Sequence, residues 1–420
     1  MIFRGLPICR GVGIFIALLS ISHFAISQQP GWIATWTASP EAADHDPDEP
    51  LTNLDNQTVR ERVRVTVGGK QIRIRLSNEF GSAPLLVGRV SVGIAQGPAS
   101  VVPRSLRPVT FGGQDSILIP PGAPSLSDPV DFPTANGSEI SISLYFPKHP
   151  VSVTLHALAL KRAVISARED HTRDTTIQGG KESDSLAFLS AVLVPAQAKG
   201  RVIVAFGDSI VDGDGSTPET DHTWPSDLFR RIERTRNGYQ VAVVNEGIAG
   251  NRLLADGPFA SLGVSALARF DRDALSVPGV KDIILLEGTN DIGFPGAKLG
   301  DLALAPVADA PTAEDIINAY RQLITRAHVR GVRVIGCTVM PSEGVVVSGY
   351  HSEDKEHTRQ TVNHWIRTSR DFDGVIDFDA VVRDPDHPAR LLPRFASRDH
   401  LHPNDAGYQA MADAIDLSFF

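Results

Sequence analysis

A serine stands at Ser209, closing the segment Phe206-Gly207-Asp208-Ser209 directly after the apolar run Val202-Ile203-Val204-Ala205. A serine at the C-terminal end of a buried-type strand sits where an open α/β sheet presents reactive groups to its crevice. Alone it would pass for a turn or helix-capping serine, because glycine, aspartate and serine are ordinary turn residues. As a nucleophile it needs an imidazole to take its proton and a carboxylate to orient that imidazole. The segment Asp399-His400-Leu401-His402-Pro403-Asn404 offers both, with Asp399 and His402 spaced to meet across one turn.

Two further segments, Asn245-Glu246-Gly247-Ile248-Ala249-Gly250-Asn251 and Glu287-Gly288-Thr289-Asn290-Asp291, follow the strand-like runs Val241 to Val244 and Ile283 to Leu286. Strand ends of this kind bring Gly250 and Asn290 to the sheet edge that carries Ser209. Acyl transfer passes through a tetrahedral oxyanion, and each preorganised donor at that oxygen is worth on the order of 3 to 4 kcal/mol. A glycine lets its amide approach the substrate with no Cβ in the way. An asparagine adds a donor that does not titrate.

These four segments, in this order, resemble the SGNH (GDSL-type) esterase and acylhydrolase superfamily, over roughly residues 201 to 420. The resemblance implies Ser209 as nucleophile and Asp399 and His402 as its base pair. It implies an oxyanion hole from the Ser209 amide, the Gly250 amide and the Asn290 side chain, with Gly247 close enough to compete with Gly250. It further implies a flavodoxin-like, three-layer α/β/α domain around a mainly parallel sheet. His400 lacks the Asp-x-x-His spacing and reads as a rim or structural residue; Asp208 and Asp291 read as turn and capping carboxylates.

Other chemistries fit less well. Ser209 is followed by Ile210-Val211-Asp212-Gly213, so the Gly-x-Ser-x-Gly elbow of α/β-hydrolases is absent. Asp208 and Asp399 could serve as a glycosidase pair, but nothing in the sequence sets a carboxyl separation. The 13 histidines form no His-Glu-x-x-His pattern, His351 and His357 lie six apart, and the Gly-Lys-Ser/Thr ending of a phosphate loop is missing. No metal or other cofactor is expected.

The chain that must position these groups has 420 residues, 42% hydrophobic, enough for a large core and two domains. Arg4 and Arg10, the apolar run Gly11 to Leu19 and the ending Ala25-Ile26-Ser27 describe a secretory signal peptide over residues 1 to 27, too short for a membrane span. Its removal takes the formal charge from −9 to −11, which disfavours nucleic acid as a partner, and leaves no membrane anchor. Cys9 goes with the leader, so Cys337 has no intramolecular partner and reads as a small buried hydrophobe.

From residue 28 to 197 short alternating segments with frequent Gly and Pro predict an all-β, sandwich-like domain. Val63, Val65 and Val67 alternate, then Ile72, Ile74 and Leu76 after Gly68-Gly69-Lys70, which predicts a β-hairpin. The opening Trp32-Ile33-Ala34-Thr35-Trp36-Thr37-Ala38-Ser39-Pro40 resembles secreted two-domain members of the superfamily that look like xylan-type carbohydrate esterases. Trp32 and Trp36 read first as domain-packing residues, and second as sugar-stacking ones.

Residues 198 to 420 alternate strands with helices, which implies a mainly parallel sheet. Helices are predicted from Trp224 to Arg236, from an N-cap at Thr312 to a stop at Gly331, from about Ser352 to Arg370, and from Gly407 to Leu417. A strand is expected at Val375-Ile376-Asp377-Phe378. Loops 293 to 311 and 340 to 351 are placed to shape the substrate site.

The expectation is a secreted or periplasmic serine esterase acting on short acyl groups, O-acetyl above all, on a small-molecule or polysaccharide ester. Within the family the alternative is a lysophospholipase, lipase or broad aryl-esterase. Outside it, the alternative is a non-catalytic carbohydrate-binding protein.

Overall fold

The sequence from Arg201 onward repeats short Val/Ile/Leu runs, and these form five strands: β1 (Arg201–Gly207), β2 (Val241–Gly247), β3 (Val280–Leu286), β4 (Arg333–Cys337) and β5 (Gly374–Ile376). The computed structural model describes Met1, Ile2, Gly5 and residues 31–44, 48–235 and 239–420. Apart from Met1, Ile2 and Gly5, the expected leader over residues 1 to 27 lies outside the described residues. Residues Gly31 to Phe420 pack as one compact unit.

The strand order is β2-β1-β3-β4-β5, with every pairing parallel. Continuous apolar runs suit strands covered on both faces, and all of β1 after Arg201 is buried. The chain leaves β1 for β2 on one side and then passes to β3 on the other. The crevice at the C-terminal ends of β1 and β3 is therefore a topological switch point, where open α/β sheets bind ligands.

Helices fill the crossovers, α1 (Ser209–Asp212), α2 (Trp224–Thr235), α3 (Ala266–Phe270), α4 (Thr289–Gly293), α5 (Ala313–Val329) and α6 (Glu353–Thr368), and α7 (Phe378–Val382) and α8 (Asp405–Ala414) follow β5. Helix α5 begins at Thr312 with a full capping box through Asp315 and stops before Gly331, whose φ is +68°. Strand β5 ends at Ile376, earlier than its apolar pattern suggests, because Asp377 caps α7 by accepting from the Ala380 amide. Cys337 is buried on β4, and burial holds its thiol well above the ordinary range.

The N-terminal region is strand-rich. One antiparallel sheet is built on Trp32–Thr37, Leu189–Pro195, Gly69–Asn78 and Val130–Thr134, with Ala123–Leu126 also paired to Gly69–Asn78. A second holds Gln57–Arg64 between Glu139–Phe146 and Ala163–Arg168. A third, small sheet joins Glu41–Ala42, Thr154–His156 and Leu186–Ala187.

The expected hairpin around Gly68 does not form. Gln57–Arg64 and Gly69–Asn78 lie in different sheets, because both edges of the first strand are already taken by Glu139–Phe146 and Ala163–Arg168. The connecting backbone bonds elsewhere: Val65 N–H to Ser138 O at 3.0 Å, Thr66 N–H to Thr35 O at 2.9 Å, and Gly68 N–H to the Asn136 side chain at 2.8 Å. Alternation marks a strand and its faces; it does not say which strand lies alongside.

Covering both faces of Gln57–Arg64 buries charge, and Glu61 is fully buried with one oxygen accepting from the Ala187 amide at 2.6 Å. Burial pushes its carboxyl up to about 8. The folded state thus keeps a proton that the unfolded chain releases above 4.5. Stability from this group is present at low pH and is lost as pH rises between those values, by up to about 1.4 kcal/mol per pH unit. Glu61→Gln has no proton to lose, so urea unfolding should find it gaining on the wild type from pH 5 to pH 8. A difference independent of pH would contradict a neutral, buried Glu61.

The strand-rich region packs on the C-terminal one through specific bonds. Ala34 N–H donates to Pro278 O at 2.9 Å, the Thr37 hydroxyl to Asn245 O at 3.0 Å, and the Ser39 hydroxyl to Glu246 at 2.6 Å. Arg62 pairs with Glu219, and Arg64 with Asp221 at 2.6 Å. Trp32 and Trp36 are both partly buried against the main core, and Trp36 lines a cavity of about 350 Å³ at this junction together with His156 and Asp212.

Candidate active site

Ser209 opens α1 at the end of β1, where Asp208 caps the turn by accepting from the Ile210 amide at 3.0 Å. Gly207 is demanded by close approach, since a Cβ there would lie 1.9 Å from the Leu286 carbonyl oxygen of β3. The Ser209 hydroxyl reaches His402 Nε2 at 2.8 Å, and His402 Nδ1 lies 2.6 Å from Asp399 Oδ2. These partners fix the tautomer: Nδ1–H donates to the carboxylate and Nε2 accepts from the serine.

Asp399 and His402 belong to one tight turn. Asp399 Oδ1 accepts from the Leu401 amide at 2.8 Å, the His402 amide at 3.0 Å and the Ser397 hydroxyl at 2.7 Å. His400 lies exposed between them with φ of +61°, and that left-handed residue lets the chain double back so that the pair can meet. Burial would raise the Asp399 carboxyl, but the His402 ring bond and charge, with the His402 amide and Ser397 hydroxyl, hold it well below its usual range. Burial would lower His402, while the Asp399 bond and the charges of Asp214, Asp399 and Asp208 raise it. Asp214 Oδ2 lies 3.7 Å from His402 Nε2.

The expected oxyanion donors come from the loop after β2 and from α4, just after β3. Gly250 has φ of +72°, and a Cβ would meet the Leu262 side chain at 2.8 Å. Its loop is pinned on both sides: Ile248 N–H donates to Gly207 O at 3.0 Å, Ala249 N–H to Asp212 Oδ2 at 3.1 Å, and the Leu253 and Leu254 amides to Asp291 at 2.6 and 2.9 Å. Gly247, the competing glycine, already spends its amide on the Asn245 side chain at 2.9 Å.

Asn290 lies buried in α4. Its Nδ2 donates one hydrogen to Asn251 O at 2.9 Å, and its Oδ1 accepts from the Tyr350 hydroxyl at 2.8 Å. The amide is thereby oriented through both its nitrogen and its oxygen. Arg269, fully buried, ties the strand ends together by donating to Gly207 O at 2.7 Å, Glu246 O at 2.9 Å and the Asn251 side chain at 2.8 Å. Beneath the nucleophile, burial pushes Asp208 up to about 6, and burial with the nearby Asp208 charge pushes Glu287 well above its ordinary value.

Two distant segments of the chain thus bring the Ser209 hydroxyl, the His402 imidazole and the Asp399 carboxylate into line, an arrangement suited to acyl transfer. Residues 203–415 match the description of the GDSL-like lipase/acylhydrolase family. The chain belongs to the GDSL-like lipase/acylhydrolase family. It is a carboxylic ester hydrolase, with the GDSL-like region at the C-terminal side of an α/β fold.

Solved structures similar to the GDSL-like half include a lipase/acylhydrolase from Enterococcus faecalis (20% identity, 51% of this chain and 92% of that one, TM-score 0.37). A GDSL-like lipase from Bacteroides thetaiotaomicron is 17% identical over 52% of this chain and 87% of that one, with a TM-score of 0.35. A variant of an acetyl-xylooligosaccharide esterase from Geobacillus stearmophilus is 18% identical over 52% of this chain and 93% of that one, with a TM-score of 0.38. No curated protein matches the chain.

Sequence reasoning did not pick out Arg269, Tyr350 as the partner of Asn290, Asp214 beside His402, or the Asp212 contact with the Gly250 loop. Asp212 carried a signal, being three residues beyond Ser209 and thus one helical turn along. The others act through folds of the chain that leave no local pattern. Among the described residues no group of three His, Cys, Asp or Glu is placed to hold a metal ion, and no helix is long and apolar enough to cross a membrane.

Proposed function

We propose that this GDSL-family protein is a secreted serine ester hydrolase that removes short acyl groups, O-acetyl in particular, from carbohydrate. The observation that carries the mechanism is the line Ser209 Oγ to His402 Nε2 at 2.8 Å and His402 Nδ1 to Asp399 at 2.6 Å. His402 takes the Ser209 proton as Oγ attacks the ester carbonyl. The oxyanion is held by the Ser209 and Gly250 amides and the free Asn290 N–H. His402 then protonates the leaving alcohol, and the acyl group stays on Ser209. Water, deprotonated by His402, releases the carboxylic acid and restores the serine.

The parallel order β2-β1-β3-β4-β5 supports a flavodoxin-like, three-layer reading of residues 198 to 420, and the two large antiparallel sheets support a sandwich-like one for residues 28 to 197. Export is supported by the leader-like residues 1 to 27, and carbohydrate by the opening Trp32 to Pro40. A second reading, esters of longer acyl chains, is favoured by exposed apolar residues on the loops near the triad. Val346 is 67% exposed while its amide bonds the Asp399 carbonyl, and Leu299 and Leu302 are 59% and 47% exposed on a short hairpin bridged to Ser348.

The two readings separate on p-nitrophenyl acetate, butyrate and octanoate, followed by acetylated xylan. The proposal expects kcat/KM to fall steeply beyond acetate and acetate to be released from the xylan. A maximum at octanoate, with no release from xylan, would replace it by the longer-chain reading.

A further inference from the structure

His156 comes from the strand-rich region, far from the four catalytic segments in sequence, yet it ends against the first turn after the nucleophile. It is buried, on the strand Thr154–His156. Its Nε2 lies 3.2 Å from Asp212 Oδ1 on α1, and its Nδ1 lies 3.1 Å from the Ser39 carbonyl oxygen and 3.4 Å from Glu41 Oε1. Every atom facing the ring nitrogens is an acceptor. A neutral imidazole would turn one lone pair toward an oxygen, whereas an imidazolium donates on both sides. Burial alone would favour the neutral ring, but the charges and hydrogen bonds of Asp212 and Glu41 outweigh it and raise the ring well above its ordinary value.

The far side of Asp212 faces the catalytic loop. Its other oxygen, Oδ2, accepts from the Ala249 amide at 3.1 Å, one residue before Gly250. Its backbone carbonyl accepts from the Asn245 side chain at 3.1 Å, whose own Oδ1 holds the Gly247 amide at 2.9 Å. A buried carboxylate can keep this geometry only if its charge is matched, and His156 is the buried cation that touches it. Burial, and then the like charge of Asp214, push the Asp212 carboxyl up, and the charge and hydrogen bond of His156 lead what opposes them, with the Ala249 amide beside it.

We infer that His156 is a positioning residue of the oxyanion hole: by holding Asp212 it fixes the Ala249 amide, and through it the direction of the Gly250 N–H. This rests on the reading of Gly250 as an oxyanion donor. The strand-rich region is then a working part of the hydrolase, since it supplies the charge that orients a catalytic amide. Misaiming that donor weakens binding of the oxyanion and leaves binding of the ground-state ester intact, so the effect falls on kcat and spares KM.

The test uses the full chain with His156→Gln, His156→Ala and Asp212→Asn, and Arg64→Gln as a control that breaks another contact between the two regions. With p-nitrophenyl acetate, His156→Gln and His156→Ala are expected to lose about 10- to 100-fold in kcat with KM within about twofold. Binding of a trifluoromethyl ketone, which mimics the oxyanion, should weaken in parallel, and Arg64→Gln should keep its kcat. Combining His156→Gln with Asp212→Asn should cost little beyond the worse single change, because both act through one contact.

Unchanged kcat in folded His156→Gln, a loss carried by KM, or additive effects of the two changes would overturn the inference. If both His156 variants fail to fold, Asp212→Asn alone decides: kcat and ketone binding that stay at wild-type level refute it, and their joint loss supports it. An active Ser209→Ala would instead overturn the underlying mechanism, so the two failures are distinguishable.

Discussion

Ser209→Ala is expected to leave less than about one part in 10⁴ of wild-type kcat on any ester the protein cleaves, with the folded state intact. Under the proposed mechanism the Ser209 hydroxyl, bonded to His402 Nε2 at 2.8 Å, is the attacking group, and its loss removes a single oxygen from a buried side chain. The acid limb of the wild-type kcat/KM profile follows from His402. The base must be neutral to take a proton, and its environment raises it above 6.5, so activity should rise with pH through a value above 6.5. Steady-state kinetics on the purified variant, with circular dichroism to confirm folding, check the first part. Activity within tenfold of wild type would remove Ser209 from the mechanism.

Asn290→Ala should lower kcat by roughly 10² to 10³-fold with KM little changed, the usual consequence of deleting one oxyanion donor. The side chain is buried and held at both ends, by Asn251 O and by the Tyr350 hydroxyl, so under the proposed mechanism its second N–H is fixed before substrate arrives. Tyr350→Phe keeps that donor but releases the amide oxygen. About tenfold loss is expected there, the scale of one hydrogen bond. The ordering Ala at 290 below Phe at 350 below wild type is the check. A Tyr350→Phe loss equal to that of Asn290→Ala would mean that the tyrosine, and not the asparagine, faces the reacting carbonyl.

What could be read from the chain was local. Ser209 ends an apolar run and Asp399 and His402 share one turn, so their types and spacing pointed to the contacts they make, whereas the roles of Gly250 and Asn290 came from the family resemblance. The cap at Thr312 and the stop at Gly331 were legible for the same reason, and so was the start of the next helix near Ser352. The hairpin around Gly68 failed because side-chain alternation is blind to partner: Gln57–Arg64 has the pattern of a hairpin arm and the pairing of a central strand. His156 was hidden more deeply. Within Leu155-His156-Ala157 nothing distinguishes a strand histidine from one that touches Asp212, since the contact exists only once the strand-rich region packs against α1.

The same limit explains the carboxylates. Asp208 and Asp291 were expected as capping groups and do cap amides, of Ile210 and of Leu253 and Leu254. That Glu287 lies beside them, fully buried, depends on the depth of the crevice, and sequence spacing carries no record of depth.

The central claim is that Ser209 carries the acyl group, and the most direct test is to trap that serine. The full chain, treated with a fluorophosphonate and digested, should yield one modified peptide whose adduct maps to Ser209 by tandem mass spectrometry, with esterase activity lost in proportion to labelling. His402→Ala should react far more slowly at the same site. An adduct on another residue that tracks the loss of activity, or full activity in protein labelled at Ser209, would contradict the account.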